Sequence, residues 1–295
     1  MLYRNSNQGI NARKINTGLN SVGARLTIQL FISMKIHVLH CGSIDLDEAV
    51  AYREDTWHLA PYTGLFRSHR HRMTVPVSCY LIEHPRGLIL IDTGWHTEVR
   101  INPRKYLGWL YSVSSTAHLK QGEAIHEQPA TLDYRPKDIA YVFLSHLHPD
   151  HVSGLQFVKD AKRIFTSELE VTDIKRHPIL YRPFMWKGVN LETFRFERFE
   201  FDVFGDRSLV FVNTPEHTNG LASTIVENDG KFVLLCSDTA YTTRAIDERI
   251  IPGMTVDKKR AEASLHWVRN MREKPGCVAV LTNHDPDIKP HTIHL

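Results

Sequence analysis

Ser145-His146-Leu147-His148-Pro149-Asp150-His151 follows an apolar run, Ile139-Ala140-Tyr141-Val142-Phe143-Leu144, that reads as a buried strand. Three imidazoles and a carboxylate within six positions are costly to crowd together unless positive charge sits among them. Neutral imidazole nitrogens and carboxylate oxygens are the donors that divalent first-row metals prefer. A chain that leaves its strand at Ser145 in a tight loop turns the four side chains toward one point. The His-x-His-x-Asp-His order suits two ions: His146 and His148 point one way, Asp150 and His151 the other. The duller account is a polar loop in a chain with 18 histidines, which needs four ligand-type residues to fall at strand-exit spacing by accident.

The pattern returns three more times. Leu209-Val210-Phe211-Val212 precedes His217, Phe232-Val233-Leu234-Leu235-Cys236 precedes Asp238, and Val278-Ala279-Val280-Leu281 precedes His284. A lone His after a strand is more often a surface residue; in this order, the residues jointly point to a dinuclear centre. The expected division is His146, His148 and His217 on the first ion, Asp150, His151 and His284 on the second, and Asp238 bridging. Zinc fits this donor set, although manganese, iron and cobalt accept it too. Asp92-Thr93-Gly94, at the end of Leu88-Ile89-Leu90-Ile91, is either a turn former or an acceptor that orients a ligand histidine.

Elsewhere the chain reads as an ordinary globular protein of 295 residues, with 42% hydrophobic and 23% charged residues and a net charge of +3. No apolar stretch approaches the roughly 20 residues that span a bilayer. Cys41, Cys79, Cys236 and Cys277 lie far apart without CxxC pairing, as expected for reduced core thiols in a soluble, cytoplasmic protein. Residues 1–33 carry four basic residues and no acid, and read as a disordered or artefactual extension rather than a targeting peptide. Translation from Met34 would give the same regular start, and residues 34–295 read as one hydrolase domain.

Within that domain Lys35 to Cys41 reads as a strand, and Val77 to Ile82 and Leu88 to Ile91 as a hairpin around His84-Pro85-Arg86-Gly87. Residues 45–76 read as a long connection, whose Arg67-Ser68-His69-Arg70-His71-Arg72 cluster is either a solvated loop or a subsite for an anion. Residues 96–138 are mixed and include helix. Arg163 to Phe165 is a short strand, and Ser167 opens a helix to Arg176 with a capping box to Glu170. The aromatic stretch 179–201 reads as core, with a wall over the site as the alternative. Asp257 to Lys274 is the clearest helix, with Ala261, Leu265, Val268 and Met271 on one face.

With these residues in view, the chain from Met34 onward resembles the metallo-β-lactamase superfamily, whose HxHxDH loop is matched by His146 to His151. The resemblance implies a four-layer αβ/βα sandwich of two mixed β-sheets, with the metals at one edge. Asp92-Thr93-Gly94 matches that family's strand end, and His217, Asp238 and His284 match its remaining ligands in order. Members that hydrolyse antibiotics usually have Cys where Asp238 stands, so the implied activity lies elsewhere. The hairpin before Asp92, the loop from Ser145 to Gly154 and the spacing Asp238-Thr239-Ala240-Tyr241 most resemble the N-acyl-homoserine lactonases, the quorum-quenching group.

The resemblance implies a metal-bridging hydroxide that attacks a lactone carbonyl, Tyr241 supporting the oxyanion, and Asp150 delivering a proton to the leaving alkoxide. The expected partner is a small-molecule lactone or ester, with neither nucleic acid nor membrane. A thioester hydrolase of the glyoxalase II kind is the alternative; its family carries a C-terminal basic helical region, and few residues follow His284 here. A non-catalytic metal-binding sensor is the alternative from another class, set against by the retention of all seven ligand-type residues.

Overall fold

The computed structural model describes residues 33–58, 60–128, 132–178 and 180–295, all within one compact unit that begins at Ser33. The extension expected over residues 1–33 lies outside the described residues, Ser33 apart. In chain order the strands are β1 (Lys35–Asp47), β2 (Arg72–His84), β3 (Gly87–Ile91), β4 (Thr116–His118), β5 (Ile139–Phe143), β6 (Arg163–Ser167) and β7 (Leu191–Phe194). They continue with β8 (Glu200–Asp202), β9 (Leu209–Asn213), β10 (Ala222–Asn228), β11 (Lys231–Ser237), β12 (Cys277–Thr282) and β13 (Thr292–His294).

Two mixed sheets result, in the order β13-β1-β2-β3-β5-β6-β7, with β4 paired to β1, and β12-β11-β10-β9-β8. Strand alternation explains the layers, because a period of two sends neighbouring side chains to opposite faces. Ile89 and Ile91 from one sheet meet Phe211, Val233 and Leu235 from the other in a shared inner core. Leu88, Leu90 and Val142 face away, into a core closed by short helices between Glu98 and Ser114. On the far side Val210, Val212 and Leu234 pack beneath Ala261, Leu265 and Val268 of the helix Lys258–Arg272. This is the four-layer αβ/βα sandwich.

The strand directions place the chemistry. β3 and β5 run parallel, as do β11 and β12, while β9 and β11 each pair antiparallel with β10 and so share a direction. The candidate residues therefore leave strands at like ends. Bonds across the sheets hold those ends together: Ala222 N donates to the Ser145 carbonyl at 3.0 Å, and the Ser78 and Asn283 backbones join at 3.1 Å.

Several sequence expectations shift. β1 continues past Cys41 to Asp47, because Gly42 (φ 102°) carries a bulge beyond which residues 43–47 pair with β2 and 43–45 with β4. β2 begins at Arg72, so the long connection shrinks to 48–71. Strands β4, β7, β8 and β13 went unread because they are short or lack alternation. Ser167 does cap the helix Glu168–Arg176, accepting from Glu170 N at 3.1 Å. Glu170 does not complete the box; its carboxylate accepts from Leu147 N and the Tyr181 hydroxyl instead. The aromatic stretch divides: Tyr181, Met185 and Phe194 are buried, whereas Phe184 and Phe199 are exposed. All four cysteines are free thiols, with Cys277 only half-buried. Among the described residues no helix is long and apolar enough to cross a membrane.

Phe211 stacks on Phe143 at 4.7 Å between the sheets and is fully buried. Phe211→Ala is expected to cost about 3–5 kcal/mol, read as a lower urea midpoint; a loss below about 1 kcal/mol would mean that the inner core does not tie the sheets together.

Candidate metal centre

β3 ends at Ile91, and Asp92 turns the chain with a φ of 60°, a left-handed conformation that is uncommon outside glycine. Gly94 follows at φ 64°, where a Cβ would lie 2.1 Å from the Cys41 Cβ, so nothing larger fits. Onto this turn docks the histidine loop: Thr93 N donates to the His151 carbonyl at 2.8 Å, and Gly154 N to the Gly94 carbonyl at 2.9 Å. Gly154 permits the approach, since a Cβ there would meet the Thr93 carbonyl oxygen at 2.2 Å.

Hydrogen-bond donors then determine which way each ring faces. Asp92 Oδ1 accepts from Ser145 N, and Oδ2 from Ser145 Oγ and His151 Nδ1, each at 2.8 Å. A carboxylate only accepts, so the Ser145 hydroxyl proton and a His151 Nδ1 proton are both directed at Asp92. With its proton committed, Ser145 Oγ accepts from Ser237 Oγ at 2.8 Å and from His146 Nδ1 at 3.1 Å. His284 Nδ1 donates to the Pro76 carbonyl at 2.8 Å, and His217 Nδ1 lies 2.5 Å from Glu216 Oε2. The Nε2 atoms of these four rings are thereby turned inward.

Those atoms converge. His146 and His217 Nε2 lie 3.0 Å apart, where two lone pairs repel unless a proton or a metal ion stands between them. Asp238 Oδ2 is 3.6 Å from His217 Nε2 and 3.9 Å from His146 Nε2. Asp238 Oδ2 also lies 3.3 Å from His284 Nε2 and its Oδ1 3.2 Å from His151 Nε2, and Asp150 lies 3.5 and 3.4 Å from the same two rings. Bonds of about 2.0–2.1 Å to a tetrahedral ion put neighbouring donors about 3.3–3.4 Å apart, and the spacings bracket that value. Nε2 of His148 and His151 and Oδ1 of Asp238 are buried with no hydrogen-bond partner. The donor set thus fits two divalent ions, with His146, His148 and His217 able to hold one and Asp150, His151, Asp238 and His284 the other.

Electrostatics point the same way. Burial, reinforced by neighbouring imidazoles, lowers His146 far below its ordinary pKa and His148 to about 3. Burial opposes charge on His151 and His284 as well, yet Asp238 and Asp150 raise both. Burial would likewise raise Asp238, but His151 and His284 hold it well below the usual carboxylate range. Buried carboxylates among imidazoles call for positive charge, from protons or from metal ions.

The centre forms the floor of a cavity of about 290 Å³ whose opposite wall is apolar, with Ile44, Leu46, Val50 and Met254. Tyr241 is 8% exposed at the boundary, its ring stacked 4.8 Å from His284. In the basic cluster at 67–72, Arg67, His71 and Arg72 are engaged within the protein. Arg67 pairs with Asp47 at 2.9 Å and with Glu54 through two nitrogens, Arg72 donates to the Ser114 and Asp45 carbonyls, and His71 meets Glu48. These contacts pin the connection that brings Tyr62 and Thr63 to the cavity.

The structure brings His146, His148, Asp150, His151, His217, Asp238 and His284 together, with Tyr241 beside them. Sequence reading missed Glu216, Ser237 and the Pro76 carbonyl. Glu216, an acid adjacent to a candidate ligand, was a usable signal; a backbone carbonyl 208 positions from its histidine left none.

Comparison with known proteins agrees with this geometry. A model of the metallo-beta-lactamase superfamily matches residues 72–282. N-acyl homoserine lactonase AttM of Azorhizobium caulinodans is 30% identical over 228 residues, 73% of this chain and 84% of that protein. A solved N-acyl homoserine lactone hydrolase, with N-hexanoyl-L-homoserine bound at its catalytic metal center, superposes with a TM-score of 0.70 at 22% identity, over 86% of this chain and 94% of that one. AidC, a dizinc quorum-quenching lactonase, superposes at 0.59 and 18% identity, over 87% and 89%. At such identities the two structures speak for the fold.

Asp92→Asn keeps the shape and replaces one acceptor oxygen by a donor that faces Ser145 or His151. Metal affinity, measured by chelator competition, is expected to fall about 10–100-fold. Unchanged affinity would show that the ring orientations do not depend on Asp92.

Proposed function

The chain belongs to the metallo-beta-lactamase superfamily, and we propose that residues 34–295 form a metal-dependent hydrolase domain that opens the ring of N-acyl-homoserine lactones. The observation that carries this reading is the set of four imidazoles whose Nδ1 groups are engaged outward, leaving Nε2 to face two carboxylates at the floor of a half-apolar cavity. The similarity to AttM supports the substrate class.

His146, His148 and His217 would hold one ion, Asp150, His151 and His284 the second, and Asp238 would face both. Zinc is the proposed metal, in keeping with the dizinc AidC and with an all-nitrogen and oxygen donor set. Ions bound by these residues would supply an acidified water, with a pKa toward about 7, and a polarised carbonyl. Burial, then Asp238, pushes the Tyr241 phenol well above its ordinary pKa, so it stays protonated and can donate to the developing oxyanion. Burial would raise Asp150 too, but His151 and His284 lower it, so it enters as a carboxylate. It takes up the proton shed by the attacking water and returns it to the leaving alkoxide. The apolar wall suits an acyl chain. Free Cys41 and Cys79, close enough for a thiol hydrogen bond, fit a reducing cytoplasm.

The test is pH-stat hydrolysis of a short- and a long-chain N-acyl-homoserine lactone, a simple γ-lactone and S-lactoylglutathione, with metal analysis of the same sample. Opening of the acyl lactones with about two ions per chain is the expected outcome; turnover of the thioester alone would overturn the lactone reading. Tyr241→Phe is expected to lower kcat about 10²-fold with metal content retained, whereas Asp238→Asn also loses metal. Full turnover by Tyr241→Phe would remove the phenol from the chemistry.

A further inference from the structure

Tyr111 is a second phenol of the cavity, and lactone opening at the floor leaves it without a task. It lies on the helix Trp109–Ser114 and lines the same cavity as Tyr241, Asp150 and Asp238. Its ring packs edge-on against Trp95 at 6.0 Å and 83°. Trp95 is fully buried, and its Nε1 donates to the Ser43 carbonyl at 3.1 Å. The helix is tied at its end by Arg72, which donates to the Ser114 carbonyl at 2.9 Å. Tyr111 is therefore positioned before any substrate arrives.

Two other hydroxyls on this wall, those of Ser114 and Thr63, are already used, while Tyr62 and Ser115 also line the cavity. Ser114 Oγ donates to the Tyr111 carbonyl at 3.2 Å, and Thr63 Oγ1 to the Ala60 carbonyl at 2.7 Å. No described residue gives or takes a hydrogen bond at the Tyr111 hydroxyl. Burial, then the charge of Asp150, raises its pKa well above the ordinary value, which keeps it a neutral donor.

A substrate seated with its ester at the floor and its acyl chain on the apolar wall must bring an amide carbonyl in between. An amide oxygen removed from water without a donor costs roughly 1–3 kcal/mol. Resting on the lactonase reading above, we propose that Tyr111 is a specificity-determining residue whose hydroxyl donates to the side-chain amide carbonyl of the substrate. The cavity would then favour lactones bearing an acylamino group over bare lactones.

Tyr111→Phe keeps the ring and its contact with Trp95 while removing the donor. The measurement is kcat/KM for N-hexanoyl-homoserine lactone and for γ-butyrolactone, in wild type and variant, with metal content and thermal midpoint as controls. The ratio of the two values is expected to fall about five- to tenfold, through KM rather than kcat. An equal loss on both lactones, or no loss, would overturn the proposal. If the wild-type enzyme opens neither lactone, the lactonase reading itself has failed and the proposal falls with it.

Discussion

The histidine loop of this centre depends on one carboxylate that touches no candidate metal position. Asp92 offers only acceptors, and three donors converge on it: Ser145 N, Ser145 Oγ and His151 Nδ1. That fixes the His151 ring, and through Ser145 it fixes the His146 ring too. A serine that has given its proton to Asp92 can only accept from His146. Without this ordering either ring could present Nδ1 or a protonated nitrogen to the cavity. The left-handed turn at Asp92 is a local strain that the surrounding hydrogen bonds hold in place.

The remaining ligands reach the same point because two sheets are stitched at like strand ends. β11 delivers Asp238, and its Ser237 donates to Ser145 across the gap. β12 delivers His284, whose ring is held by the Pro76 carbonyl on β2. Each histidine with an oriented ring is thus braced by an element other than the one that carries it, apart from His146 and His217, which lean on the neighbouring residues Ser145 and Glu216. Buried carboxylates among buried imidazoles then produce a site whose charge balance requires cations. The cavity above it is polar at its floor and apolar along its wall, the division that an amphipathic ester requires.

Much of the centre was legible in the chain. Divalent ions take imidazole and carboxylate donors, and such donors placed straight after apolar strands leave a local pattern: His146 to His151, then His217, Asp238 and His284. The strands carrying them were legible for a similar reason, since buried strands are continuous apolar runs or alternate with a period of two. The helix Lys258–Arg272 was visible through its apolar face. Short strands at sheet margins, such as Thr116–His118 and Thr292–His294, were not, because three residues carry no period.

What the chain could not disclose is whatever depends on long-range partners. Glu170 looked like half of a capping box, but burial against Leu147 and Tyr181 offered it stronger partners than its own helix terminus. The cluster holding Arg67 and Arg72 read as a solvated loop, with an anion subsite as the alternative, but Arg67 pairs with Asp47 and Glu54 and Arg72 with two backbone carbonyls. The orientations of the His151 and His284 rings rest on Asp92 and Pro76, 59 and 208 positions away. Residue identity therefore settles which chemistry is possible, because donor type is a property of the side chain. Where each proton points is settled by packing, because a hydrogen bond is a property of two groups and their distance.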